Sequence, residues 1–133
     1  RDMPVIAVQE GTEGLVGRVE YAGTGTSIIK PILDSSSSVA ARLQRSRHDG
    51  LVTGGGIGSN RVVMRYVPEG ARNEIAYDDR VITSGLSSVF PAGLMIGRVT
   101  SIQARSWETS LELYLEPVID FSRLEYVFVV DQR

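Results

Sequence analysis

The chain has 133 residues, of which 42% are hydrophobic and 23% charged, and 14 basic against 16 acidic side chains leave a formal net charge of −2. That length suits one domain or two small units sharing an interface, and the composition is that of a folded rather than a disordered chain. No apolar run approaches the ~18 residues that would span a bilayer, there is no concentrated positive field for nucleic acid, and without cysteine there is no disulfide, thiolate chemistry or cysteine-held zinc. Lys30 is the only lysine, so nearly all positive charge is arginine. The chain opens Arg1-Asp2-Met3, with neither an initiator methionine nor a signal peptide, and is expected to be a piece of something longer.

The first expected strand is Met3–Val8. Leu15, Gly17, Val19 and Tyr21 then alternate with Val16, Arg18 and Glu20, the pattern of a half-buried strand. Ser27–Leu33 follows, and Pro31, which cannot donate to a ladder, puts that run at an edge or a bulge. Val39, Ala41 and Leu43 alternate with Ala40, Arg42 and Gln44; further strands are expected at Leu51–Thr53, Arg61–Val67, Arg80–Thr83 and Met95–Ile102. Leu111, Leu113 and Leu115 alternate with Glu112, Tyr114 and Glu116, and Tyr126–Val130 closes the series, after one capped turn at Asp120–Glu125. Turn chemistry separates the runs at Gly23-Thr24-Gly25, Asp34-Ser35, Gly54-Gly55-Gly56, Pro68-Glu69-Gly70 and Pro91-Ala92-Gly93. About ten short strands at this spacing predict an all-β barrel or sandwich. A parallel α/β sheet would need crossover helices that the pattern lacks.

Gly14-Leu15-Val16-Gly17-Arg18-Val19 is nearly repeated, with one insertion, as Gly93-Leu94-Met95-Ile96-Gly97-Arg98-Val99. Two readings are open: glycine before apolar residues is common at any turn-to-strand junction, or two similar β units each use this element once. Gly14, Gly17, Gly85, Pro91, Gly93 and Gly97 are read as structural turn residues.

Catalytic chemistry finds little support. His48 is the only histidine and lies in the polar stretch Gln44–Gly50, where a solvated loop residue is expected; Ser84 is not in a Gly-x-Ser-x-Gly elbow. Asp78 and Asp79 are adjacent, which on a strand would point them to opposite faces, so they read as a turn before the strand beginning near Arg80, and no metal is assigned. Gly54-Gly55-Gly56-Ile57-Gly58 lacks the Gly-Lys-Ser/Thr of a phosphate loop and reads as a hairpin loop. Arg42, Arg45 and Arg47 form a small basic cluster without interleaved aromatics, a weak signal for nucleic acid.

The segment Val89-Phe90-Pro91-Ala92-Gly93-Leu94-Met95-Ile96 differs in kind, placing large apolar groups around a Pro/Gly turn where loops normally carry polar residues. They either cover the end of a barrel or stand exposed as docking anchors. Val89, Phe90, Leu94 and Met95 are the candidate partner contacts. Two other classes are weighed against docking: a hydrolase, which requires His48 bonded to a serine or carboxylate in a cleft, and a glycan-binding module, which requires a platform of Trp107 with Tyr114 or Tyr77.

The run Thr83–Val99, the strand Gly14–Val19, the stretch Val39–Gln44 with Gly50-Leu51-Val52-Thr53-Gly54, and the ending Glu116-Pro117-Val118-Ile119-Asp120-Phe121-Ser122-Arg123-Leu124 through Val130 resemble the MreC family of bacterial rod-shape-determining proteins. The family usually has a pair of glycines where Ser87-Ser88 stand. The resemblance covers the chain from about Gly14 and implies an all-β fold of two small antiparallel barrels, arranged like a chymotrypsin-type protease without its triad. On the same ground the second unit includes roughly 55–105 and the chain ends pack together. It further implies a region outside the inner membrane, anchored through a segment absent here, that uses no cofactor and does not catalyse. Its partners would be copies of itself, the elongation penicillin-binding transpeptidase, MreD and RodZ, and indirectly MreB.

Overall fold

The structure, a computed structural model, describes residues 2–86, 89–104 and 109–131, without the side chain of Ile57. Among them are ten strands: β1 Pro4–Gln9, β2 Thr12–Ala22, β3 Ser27–Pro31, β4 Ser38–Leu43, β5 Asp49–Gly54, β6 Val62–Pro68, β7 Arg80–Thr83, β8 Met95–Ala104, β9 Ser110–Pro117 and β10 Phe128–Val129. Strands β4-β5-β6-β9-β8-β7 close into a barrel, and β10-β1-β2-β3 form a second, four-stranded sheet; every pairing is antiparallel. The chain is all-β, as the alternation predicts. The capped turn is a 3-10 turn at Phe121–Arg123, with the Asp120 carboxylate accepting from the Ser122 N–H. Two further 3-10 turns, Ile57–Ser59 and Glu69–Glu74, stand where sequence alone indicates plain loops.

The alternation buries what it should. Val39, Ala41 and Leu43 of β4 and Leu111, Leu113 and Leu115 of β9 face the barrel interior at 2% exposure or less, together with Val52, Val62, Met64, Val81, Ile96 and Val99. Each such Val, Leu, Ile or Met side chain contributes about 1.5–3 kcal/mol on leaving water. The smaller core of the sheet is Val5, Ala7, Val16, Val19 and Ile119. Leu15, Ile32 and Leu33 belong to the barrel core although they lie in or just after strands of the sheet, and Phe121 packs against both clusters. The Gln9 carboxamide fastens β1 to the segment after β9, donating to the Asp120 carbonyl at 3.0 Å and accepting from its N–H at 2.7 Å.

The sequence echo has a structural counterpart, because the meander β1-β2-β3 is laid out like β7-β8-β9. Val5 faces Gly17 and Gly17 faces Pro31; Val81 faces Gly97 and Gly97 faces Pro117. The register slips at matching places, Val16 with Ile96 and Glu20 with Thr100 being the unpaired bulge residues. Beyond each proline, the Ile32 and Val118 N–H groups donate back at 2.9 Å to the Val16 and Ile96 carbonyls. Gly17 and Gly97 are therefore mid-strand residues rather than turn residues: a Cβ on Gly17 would run into the Lys30 carbonyl, and one on Gly97 into that of Glu116. Gly14 also lies within β2, and its bare Cα packs on Val118 and Ile119.

Candidate docking surface

The connection between β7 and β8 holds the apolar segment singled out above. It is organised by Thr83, which is fully buried. The Thr83 hydroxyl donates to the Pro91 carbonyl at 2.6 Å and accepts from the Leu94 N–H at 2.8 Å, while its backbone exchanges bonds with Leu94 and Gly93. Gly85 and Gly93 turn the chain with φ of +80° and +92°, where side chains are strained. Ser87 and Ser88 lie outside the described residues.

This closure decides the four contact candidates. Phe90 is only 4% exposed and is part of the barrel core, so packing accounts for it and it offers no surface to a partner. Val89 and Leu94 are half-buried and packed against the same core, capping the barrel end. Met95 is also half-buried, but lines a groove between barrel and sheet. The large exposed apolar residue of the loop is Leu86, at 71%.

The groove that Met95 reaches has a volume near 1360 Å³ and runs between the β1–β2 hairpin, β7–β8 and the segment after β9. Exposed Val8, Tyr126 and Phe128 line it beside Arg80, Arg98 and Arg123, with Glu10, Glu13 and Glu125 for balance. Arg80 and Arg98 are directly opposite each other across β7 and β8; Arg98 is neutralised by Glu116 on its other side at 3.0 Å. Sequence reasoning placed Tyr126 and Phe128 on a strand, but not against this groove. Their apposition to Met95 depends on the return of the chain end to β1. A second groove, about 590 Å³, is apolar and opens on the core face of the sheet, lined by Val16, Ile29, Leu33, Phe121, Leu124 and Val127.

The remaining candidates are dispersed. His48 Nε2 is 3.4 Å from the Glu74 carboxylate, and neither residue lines either groove. Ser84 uses its hydroxyl to accept from the Leu86 N–H. Two members of the arginine cluster are engaged by acids: Arg42 with Asp49 at 2.6 Å, and Arg45 with both oxygens of Asp79. Asp78 and Asp79 do part company, since only Asp79 is turned inward. Burial pushes the Asp79 carboxyl up, but the Arg45 hydrogen bonds, the Ala76 N–H and the Arg45 charge outweigh it and hold the group below its ordinary range. The hydrogen bond and charge of Asp79 raise Arg45 in turn. Trp107 lies outside the described residues; Tyr114 is half-buried beneath the Arg61 guanidinium and Tyr77 is exposed. Among the described residues no group of three His, Cys, Asp or Glu side chains converges as a metal site, and no helix is long and apolar enough to cross a membrane.

Fold and surface together define a class: a β-barrel core joined to a second small β unit, with grooves along the junction. Residues 1–131 match the family described as rod shape-determining protein MreC, barrel core, and the chain belongs to that family. It is 28% identical over 134 residues to the cell shape-determining protein MreC of Bacillus subtilis (strain 168), covering 96% of this chain and 46% of the relative. The chain thus spans about half the length of the curated relatives it matches. The crystal structure of MreC from Pseudomonas aeruginosa superposes with a TM-score of 0.85 at 25% identity, over 98% of this chain and 79% of that one. Two more distant structures, each 19% identical, share the fold. One is from a complex between penicillin-binding protein PBP2 and MreC of Helicobacter pylori, with a TM-score of 0.62 over 96% of this chain and 69% of that one. The other is described as the major periplasmic domain of the cell shape-determining filament MreC, with a TM-score of 0.71 over 90% of this chain and 70% of that one.

Proposed function

We propose that this chain is the extracytoplasmic, non-catalytic scaffold part of a cell-elongation assembly, which binds a penicillin-binding transpeptidase and copies of itself. The observation that carries the reading is membership of the MreC family; the complex of the Helicobacter pylori relative with its penicillin-binding protein, and the description of another relative as a filament, support the two kinds of partner. Contacts with MreD and RodZ, and through them with MreB, belong to the same reading, as does a periplasmic site of action with the membrane anchor supplied elsewhere in the protein.

The contact surface we assign is the larger groove. Met95 carries over from the sequence candidates, joined by Val8, Tyr126 and Phe128, which leave large apolar area in water beside arginines, the residue types that anchor interfaces. Val89 and Leu94 contribute by fixing the barrel end behind it. Binding would act on the transpeptidase by favouring one of its conformations. The test is calorimetric titration of the chain with the extracytoplasmic part of the transpeptidase from the same organism. The double variant Tyr126→Asp, Phe128→Asp should lose binding with its thermal transition unchanged; unaltered affinity would reject the groove, and no binding by the parent chain would reject the partnership. Turnover of peptide or peptidoglycan by the purified chain, abolished in His48→Ala, would reject the non-catalytic role.

A further inference from the structure

The two matching meanders differ in what lies beyond their third strand. In the barrel, β9 is covered by β6, with Val62 facing Leu115, Val63 facing Tyr114 and Met64 facing Leu113. The shared register maps Leu115, Tyr114 and Leu113 onto Ile29, Ile28 and Ser27 of β3, which among the described residues pairs with β2 alone. Exposure follows: Leu115 is 2% exposed whereas Ile29 is half-buried, and Tyr114 is half-buried whereas Ile28 is 57% exposed. Because the Ile32 N–H is spent on β2, strand alternation turns the N–H and C=O groups of Ile29 and Ser27 to the open edge.

Edges of this kind are usually guarded by a lysine. Here the Lys30 ammonium is held back at 2.8 Å from the Ser36 hydroxyl and 3.8 Å from the Glu20 carboxylate. Below the edge lies the apolar groove lined by Ile29, Leu33, Leu124 and Val127, and the one ionisable group among the described residues of its wall, Asp120, is occupied by Ser122. We propose that β3 is a strand-acceptor edge: an extended segment of another polypeptide pairs antiparallel along Ser27–Ile29, in the place β6 takes on β9, and seats apolar side chains from alternate residues in that groove. The missing N–H of Pro31 ends the ladder, just as β6 stops short of the equivalent Pro117. Backbone bonds would supply affinity and the groove would select an uncharged, preferably β-branched residue opposite Ile29. Ser27–Ile29 do not line the larger groove, although the apolar groove shares Asp120, Ser122 and Leu124 with it, and exchange at these edge amides is read apart from the transpeptidase contact.

The strand that solves the same problem inside the molecule provides the probe: a synthetic peptide of residues 60–66, Asn-Arg-Val-Val-Met-Arg-Tyr. With saturating peptide, the Ser27 and Ile29 amides should exchange with deuterated water about tenfold more slowly. A peptide N-methylated at the residues corresponding to Val62 and Met64, whose N–H groups would face β3, should lose this effect, and one N-methylated at Val63 should keep it. Unchanged exchange at millimolar peptide, or equal protection by the doubly methylated peptide, overturns the proposal. Protection that rises with protein concentration in the absence of peptide also overturns it, by assigning the edge to a second copy.

Discussion

Asp2 and Asp78 begin corresponding strands in the same way: each adopts a left-handed backbone, φ 61° and 67°, and each donates its N–H at 2.8 Å to a valine carbonyl, Val19 and Val99. Aspartate tolerates that region better than most residues. The correspondence extends through both bulges to the proline that ends each third strand. The barrel and the sheet are thus two elaborations of one three-stranded unit, and what differs between them is what has been added around it.

If the close approach at Gly17 and Gly97 is what the echo preserves, a methyl group there must push a neighbouring carbonyl aside. Gly97→Ala and Gly17→Ala should each cost about 1–3 kcal/mol, the range for forced overpacking, measured by urea denaturation. Gly70→Ala, where a Cβ meets nothing within 4 Å, should stay within about 0.5 kcal/mol of the parent.

Thr83→Val keeps the shape of a buried side chain and removes its hydroxyl. The Pro91 carbonyl loses its donor and the Leu94 N–H its acceptor, so a loss of about 1–3 kcal/mol is expected. Faster amide exchange confined to the β7–β8 connection would locate the effect.

Phe90 and Leu86 separate packing from contact. Phe90→Ala should destabilise the chain by about 3–5 kcal/mol, whereas Leu86→Asp should leave the thermal transition nearly where it was, because its side chain already stands in water. A stable Phe90→Ala variant would contradict the barrel-core assignment.

Acid unfolding should feel Asp79. Its carboxyl is held below the ordinary aspartate value in the folded state, so it favours folding fully above that value and loses its contribution as pH falls through the folded value. Asp79→Asn should therefore be less stable than the parent at neutral pH and should show a shallower loss of stability between about pH 5 and pH 2, followed by circular dichroism.

All ten strands were legible, because alternation and Gly/Pro punctuation are local signals and this fold is built from short strands with one buried face. The short turn at Glu69–Glu74 was not: Pro68-Glu69-Gly70 announces a turn, but its continuation depends on Ala71 and Ile75 finding the barrel core. Phe90 shows the same limit at the candidate site. A large apolar residue beside Pro91 can cap a barrel or meet a partner, and the choice is made by Thr83, which looks unremarkable in sequence. The larger groove was invisible for a different reason, since Val8, Met95 and Tyr126 converge only after the two ends of the chain are brought together.

The pairing of Val5 with Val129 and Ile6 with Phe128 has a consequence for assembly. During synthesis, β1 to β3 leave the ribosome before the barrel strands β4 to β9, but their fourth strand, β10, emerges only after all of these. Loops that long close late. The barrel is therefore free to form as a self-contained insert, while the small sheet remains unfinished until β10 has emerged.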